Sequence, residues 1–387
     1  MTLAPDRQAD RLMVALEGRL DHETAPALAQ VIDHQLDGVT EFVLDFEGLE
    51  HVSSLGLRVL LAAQKRMQSI HGSLVVRNVN PAIASVFEIT GFDRILDYER
   101  KPRRLSIDGL ELIAKGGNGE CFRVDEETVL KLYFDHIDDT SAAREKRLAK
   151  KAFVAGVPTA ISYEVVVCGT RRGVLYELIN ADTLSKYIER HVDRLEAVVD
   201  LYVGFCRQIH AIAPDPGEFP DAIDIACGHV EACDLFNAGQ RSAMLDRLQR
   251  TERRRTLIHW DLHPGNIMMQ GDVPCLIDMG DMATGTPYFD LGPIRQILQF
   301  HSETGLCQKI IGLDNGIARR VWPLFLARYF NNPPPDELSA IEENLRFYQD
   351  IRNVLLYRSG TGGESMRARR KEMILQLLPR EITQASA

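Results

Sequence analysis

The sequence predicts two domains, an α/β layer domain of about a hundred residues and then a larger one that opens with short strands and ends in helices. Three observations carry this. A chain of 387 residues is long for a single core. Strand and helix signals alternate from Arg11 to Gly91. The charged, proline-containing run ERKPRR at residues 99–104 reads as a linker, after which the pattern changes. The expected layout is therefore a first domain over residues 1–98, a linker over 99–108, and a second domain over 109–387.

Composition narrows the function classes. A hydrophobic content of 45% and a charged content of 26% suit a soluble globular chain. The formal net charge of −10 argues against non-specific nucleic-acid binding, which needs Lys and Arg to neutralise phosphates. The basic runs at residues 253–255 and 367–371 read as solvated faces. No apolar run approaches the roughly 18 residues of a membrane span, and residues 1–11 do not form a signal peptide. Seven scattered cysteines suit a reducing cytoplasm, the expected location. Cys227, His229 and Cys233 lie close together without a second pair, which favours free thiols over a metal site.

In the first domain, residues 12–16 form a short apolar strand and residues 18–21 a turn. Thr24 is the expected N-cap of a helix that tolerates Pro26 in its first turn. Leu28, Val31, Ile32 and Leu36 line one face of that helix. Residues 41–46 give a second strand, residues 55–70 a strong helix, and residues 73–79 a third strand. Pro81 opens a further helix that ends near Gly91.

The segments LEGRLDHETAP (16–26), HVSSLGLRVLLAA (51–63) and NPAIASVFEITGFDRIL (80–96) resemble the STAS domain of bacterial anti-sigma factor antagonists. In that family the loop before the long helix carries a serine phosphorylated by a partner kinase. The resemblance puts Ser54 on that position and Ser53 on the preceding one, often Asp in the family. A phosphate there would meet free N–H groups at a helix N-terminus and add roughly two negative charges to a docking surface. The same serines also read as N-caps, and the two roles are compatible. An anti-sigma factor or another signalling protein is the partner the resemblance implies.

Beyond the linker, residues 110–113 and 121–124 read as strands flanking a glycine-rich turn at residues 115–119. Residues 128–132 form a third strand with Lys131 in its middle, a costly place for a charge unless it has a partner. The helix expected over residues 141–155 offers Glu145, either as that partner or as one half of a surface pair. Residues 174–179 read as one more strand, and Thr183 and Leu184 start the next helix.

The stretch TLIHWDLHPGNIMMQGDVPCLIDMGD (256–281) gathers His259, Asp261, His263 and Asn266 before a Gly271-Asp272 turn, with Asp278 and Asp281 after it. The turn is expected to join a strand at Leu257-Ile258 to one at residues 273–277. The spacing H-x-D-x-x-x-x-N followed by Asp-x-Gly resembles the protein-kinase-like phosphotransferases. HWDLHPGN is nearest the aminoglycoside and choline kinase branch, with Trp260 where that branch usually has glycine.

The resemblance implies a two-lobed α+β domain, with one lobe over residues 109–180 and another over 181–387 that includes a helical C-terminal region. It implies ATP and Mg²⁺ as well. Gly117 and Gly119 would belong to the loop over the nucleotide, with Phe122 at the place of its third glycine. Lys131 would grip phosphates and pair with Glu145. Glu177 and Ile179 would hold adenine through backbone groups. Asp261 would orient the attacking hydroxyl and accept its proton, while Asn266 and Asp278 supply hard oxygens for Mg²⁺. His259 would brace the loop, and Asp290 would serve as helix cap and brace.

Two functions follow. One is an ATP- and Mg²⁺-dependent phosphotransferase coupled to a STAS signalling module, acting on a small-molecule hydroxyl or a protein serine. The other is a pseudokinase scaffold that binds nucleotide and a signalling partner without turnover, supported by Trp260 and Phe122. Ser54 is also a candidate substrate for the kinase-like domain itself.

Overall fold

The structure, a computed structural model, describes residues 2–8, 10–137, 140–359 and 363–384. The chain divides into two compact units, Met1–Arg104 and Leu105–Ala387.

In the first unit, β1 (Thr2–Gln8) pairs antiparallel with β2 (Arg11–Leu20). Strands β3 (Glu41–Val52), β4 (Ser73–Val79) and β5 (Asp97–Arg100) then add in parallel, giving the order β1-β2-β3-β4-β5. Parallel neighbours need crossovers, and α1 (Ala25–Gln35), α2 (Ser54–Ser69) and α3 (Pro81–Thr90) supply them. The register Leu12↔Phe42 and Val14↔Leu44, continued by Phe42↔Leu74 and Leu44↔Val76, lines up buried apolar residues across three strands. Against that core pack Leu28, Val31 and Ile32 of α1 and Leu57, Leu60 and Met67 of α2. The α/β layer expected from the sequence is the fold observed.

Several local expectations are corrected. Residues 18–20 continue β2 rather than turn; the positive φ of Gly18 (88°) accompanies a shift in register against β3. Thr24 sits at the N-cap position of α1 but makes no capping bond, because its hydroxyl donates to the Arg19 carbonyl and accepts from the Asp21 N–H. The expected linker is partly ordered as strand: β5 runs to Arg100, and β6 (Arg103–Arg104) follows.

In the second unit, β7 (Glu111–Lys115), β8 (Gly119–Arg123), β9 (Thr128–Tyr133), β10 (Ser162–Cys168) and β11 (Arg171–Glu177) run antiparallel in the order β10-β11-β9-β8-β7. Helix α4 (Ser141–Val154) lies between β9 and β10 in the chain. A small sheet of β12 (Asp182–Thr183), β14 (Ile267–Gln270) and β15 (Val273–Leu276) and the pair β13 (Leu257–Ile258) with β16 (Ala283–Thr284) frame the candidate site. The helices are α5 (Leu184–Arg190), α6 (Leu195–His210), α7 (Ala222–Glu231), α8 (Ala238–Arg250), α9 (Tyr288–Arg295), α10 (Cys307–Ile311), α11 (Asn315–Tyr329), α12 (Pro335–Ser359) and α13 (Gly363–Gln384). Among the described residues, no helix is long and apolar enough to cross a membrane.

The Gly271-Asp272 turn joins β14 to β15, not Leu257-Ile258 to residues 273–277. Leu257 and Ile258 pair with Thr284 and Ala283 instead. The apolar run Ile267-Met268-Met269, directly after the loop, is the sequence signal for the extra strand.

Candidate active site

The loop between β13 and β14 carries Asp261 and is braced from below. Asp290, fully buried in the first turn of α9, accepts from the His259 N–H (3.0 Å) and the Trp260 N–H and bonds His210 Nε2 at 2.9 Å. The expected brace is therefore present, but Asp290 is not a cap: Pro287 holds the N-cap position. His259 Nε2 lies 3.1 Å from the Ile277 carbonyl, tying the loop to the segment before Asp278. The Tyr202 hydroxyl donates to the Leu262 carbonyl at 2.7 Å.

Trp260 adopts φ = +67°, the left-handed region where glycine is favoured. A non-glycine residue there costs roughly 1–2 kcal/mol. The indole is completely buried, edge-on to Phe289 at 4.8 Å, and this packing holds the turn although the buried Nε1–H has no hydrogen-bond partner.

Asp261 keeps a third of its side chain exposed. Burial pushes its pKa up, but the His263 and Arg352 charges outweigh that and hold the carboxyl below the ordinary carboxylate range. Asn266 Nδ2 donates to the Asp261 carbonyl (3.0 Å) and to its Oδ2 (3.3 Å), which fixes the amide and leaves its Oδ1 as a hard oxygen.

Across from this loop, Lys131 of β9 donates to Glu145 Oε1 and Oε2 at 2.9 and 2.8 Å and to Asp278 Oδ1 at 2.7 Å. Glu145, 3% exposed on α4, also accepts from the Tyr133 hydroxyl and, at 2.9 Å, from the Tyr176 hydroxyl. The surface-pair alternative for Glu145 is thereby excluded. Burial works against the Lys131 ammonium, but Asp278 and Glu145 hold its pKa well above the ordinary lysine value. Asp278 itself has φ = +66°, a strained geometry of the kind that collects at functional sites.

The glycine-rich turn joins β7 to β8, closed by the Gly116 N–H to the Gly119 carbonyl at 2.9 Å. Gly119 is required by packing, since a Cβ would stand 2.4 Å from the Leu132 carbonyl; Gly117 is exposed. Phe122 is buried in the core of this sheet with Leu130, Leu132 and Leu175. At the end of β11 the Glu177 N–H is occupied by the Ile161 carbonyl, so that group is not available to a ligand. Ile179 packs with Ala160 and Cys275, beside Met268 and Ile277, in a small apolar cluster.

Sequence reasoning missed a second set of residues. Arg352 of α12, 3% exposed, donates to Asp281 Oδ2 at 2.8 Å, and its Nη2 lies 3.7 Å from Asp261 Oδ1. Arg144 of α4 donates to the Gly280 carbonyl at 2.7 Å and reaches Asp281 at 3.4 Å. Burial raises and the two arginines lower the Asp281 pKa, and the net direction is down. Helix α12 reaches this position because it crosses α9 at Gly292, where a Cβ would stand 2.5 Å from the Gln349 nitrogen. A buried arginine from a helix 91 residues beyond Asp261 has no local pattern to announce it; its only signal was a charge among apolar α12 positions.

In the first unit, Ser53 is the N-cap of α2, its Oγ accepting from the Gly56 N–H at 3.2 Å. Ser54 is the first helical residue and is exposed. Gly56 admits the chain here, because a Cβ would meet the Leu20 carbonyl at 2.6 Å. All seven cysteines are free thiols, with Cys227 half-buried and Cys233 buried.

Comparison with known proteins adds two matches. Residues 3–97 match the family described as Mlab, STAS domain, and residues 110–304, half of the chain, match the phosphotransferase enzyme family. BtrV of Bordetella bronchiseptica, described as an anti-sigma factor antagonist, is 36% identical over 93 residues, covering 24% of this chain and 80% of BtrV. An anti-sigma F factor antagonist of Paenibacillus polymyxa is 29% identical over 87 residues, covering 22% of this chain and 74% of the relative. Among solved structures, the gentamicin complex of APH(2")-IIa is similar at 16% identity and a TM-score of 0.43, covering 78% of this chain and 96% of that one.

Proposed function

This chain belongs to the phosphotransferase enzyme family, with a STAS domain preceding the catalytic unit, and from that premise we propose that it transfers the γ-phosphate of ATP, with Mg²⁺, to an acceptor hydroxyl. The observation that carries the reading is Lys131 bonded at once to Glu145 and to Asp278, a residue 147 positions away. A buried ammonium held charged beside the catalytic loop is suited to gripping phosphates.

The donor set fits Mg²⁺. The Asn266 amide oxygen and the Asp278 carboxylate are hard oxygens on adjoining segments, and Asp278 is 45% exposed. Bound there, the ion would neutralise charge on the ATP phosphates. The chain itself does the positioning. Asp261, ionised and fixed by Asn266, orients the acceptor hydroxyl. As the hydroxyl oxygen bonds to the γ-phosphorus, the bond to the β-phosphate oxygen breaks, ADP leaves, and the hydroxyl proton passes to Asp261. A carboxylate of low pKa suits a loose transition state, in which the proton moves late and orientation matters most. Gly117, Gly119, Glu177 and Ile179 would surround the nucleotide, with adenine on the floor formed by Ile179, Cys275 and Ile277.

The non-catalytic alternative rested on Trp260 and Phe122. Trp260 supplies the backbone geometry of the glycine it replaces, and Phe122 serves the core. For the STAS domain we propose docking to an anti-sigma factor or similar protein through the surface bearing Ser54, with Ser54 as the phosphorylation site.

ATP consumption by the full chain with Mg²⁺, beside an Asp261→Ala variant, tests the catalytic reading. Turnover should fall by about 100-fold or more in the variant. Equal turnover in both proteins would refute the assignment.

A further inference from the structure

Arg352 comes from α12, yet it is seated by the same helix that braces the catalytic loop. Helix α9 holds that loop through Asp290, which accepts from the His259 N–H at 3.0 Å. Farther along α9, Gly292 lets α12 approach until a Cβ would stand 2.5 Å from the Gln349 nitrogen. Arg295 of α9 then donates to Gln349 Oε1 at 2.6 Å. Arg352 lies roughly one helical turn beyond Gln349, so α9 sets the separation of Arg352 from Asp261.

The two oxygens of Asp261 meet different neighbours. Oδ2 accepts from Asn266 Nδ2 at 3.3 Å and lies 3.5 Å from His263 Nε2. Oδ1 faces Arg352 Nη2 at 3.7 Å, too far for a hydrogen bond but close enough for a buried charge to act. A bonded arginine would fill the oxygen that must accept the proton of the attacking hydroxyl. An unbonded one orients the carboxylate and leaves that oxygen open.

Arg352 can stand off because its own bond is made elsewhere. Its Nη1 donates to Asp281 Oδ2 at 2.8 Å, and Arg144 reaches Asp281 Oδ1 at 3.4 Å. Arg144 also donates to the Gly280 carbonyl at 2.7 Å, which fastens this segment to α4. Burial works against the Arg352 charge, but Asp281, Asp261 and Asp278 outweigh it. Its partners are carboxylates of the chain itself.

We propose that Arg352 and Asp281 form a positioning pair for phosphoryl transfer: Asp281 anchors the guanidinium, and the guanidinium keeps the Asp261 carboxylate turned with Oδ1 toward the attacking hydroxyl. The proposal rests on the phosphotransferase reading and adds to it two residues that act through Asp261.

Steady-state ADP release from MgATP, with water as the attacking hydroxyl, gives the first readout. Arg352→Gln and Asp281→Asn should each lower kcat by about tenfold or more and leave KM for MgATP unchanged, as misalignment of a held group does. The two changes together should lose no more than either alone, because the residues act as a unit. In an Asp261→Ala background Arg352→Gln should cost nothing further, whereas a merely structural arginine would cost the same factor there. Arg352→Lys, which keeps a charge, should recover part of the rate. An equal loss with and without Asp261, or Asp281→Asn turning over as the unaltered chain does, would overturn the proposal. A crystal structure of Arg352→Gln needs no turnover and gives the second readout; Arg144 still meets Asp281 in that variant, so the fold should hold. The Asp261 carboxylate should be rotated there while Lys131, Glu145 and Asp278 keep their bonds, and an unmoved carboxylate would overturn the proposal. Should Asp261→Ala release ADP as fast as the unaltered chain, the catalytic reading fails, and the crystal structure still decides whether Arg352 holds Asp261.

Discussion

The two sides of the catalytic loop differ in how they are built. On the nucleotide side, one lysine meets two carboxylates, Glu145 and Asp278, on segments that carry short recognisable patterns. On the other side, Arg352 and Arg144 meet Asp281, and Arg352 arrives on α12, a helix without a pattern tied to chemistry. The contrast follows from what each side must do. Every ATP is alike, so the groups that hold it keep fixed spacings; an acceptor pocket can be lined by whatever a packed helix delivers. On the proposed reading, acceptor specificity would depend on tertiary contacts such as Gly292 against α12.

That contact offers the largest lever on the comparison. Gly292→Ala places a Cβ 2.5 Å from the Gln349 nitrogen and must push α12, with Arg352, away from α9. Overpacking of this kind costs about 1–3 kcal/mol, and thermal unfolding should show a lower Tm. The acceptor KM should rise while MgATP affinity holds, since Lys131, Glu145 and Asp278 are held by hydrogen bonds among themselves rather than by α12. An equal loss on both sides would mean the two are not separable.

A smaller effect separates the first unit from both sides. Ser53→Ala removes the cap on α2 and should cost about 1 kcal/mol, seen in denaturant titration. Ser54→Ala, an exposed change, should cost no more than about 0.5 kcal/mol, yet it alone should abolish phosphate incorporation at this loop by mass spectrometry. Retained incorporation in Ser54→Ala would move the modification elsewhere.

Much of this architecture was legible in the sequence, and the reasons are physical. Short apolar runs announced β2 to β4, and in β2 the buried Leu12, Val14 and Leu16 alternate with less buried residues because one face packs on the core. Lys131 stood out because a charge inside an apolar strand demands a partner, and Glu145 was one helix away. The hairpin β14–β15 was read with the wrong partner strand, since a two-residue turn specifies that a hairpin exists but not where each strand begins. Asp290 was misread as a cap because its bonds run to His259 and Trp260, some 30 residues back, rather than to its own helix. Trp260 concealed its role as well: only the backbone angle shows that it does the work of a glycine. Arg352 was announced only by its place among apolar α12 positions, because its partner Asp281 lies 71 residues back in the chain.

The central claim is a division of labour, Lys131 and Asp278 for nucleotide and Asp261 for the acceptor hydroxyl. Titration of MgATP into Asp261→Ala and Lys131→Ala, followed by calorimetry, tests it most directly. Asp261→Ala should bind MgATP as the unaltered chain does while failing to consume it, and Lys131→Ala should bind it at least about tenfold more weakly. Loss of MgATP binding in Asp261→Ala, or undiminished binding in Lys131→Ala, would contradict the account.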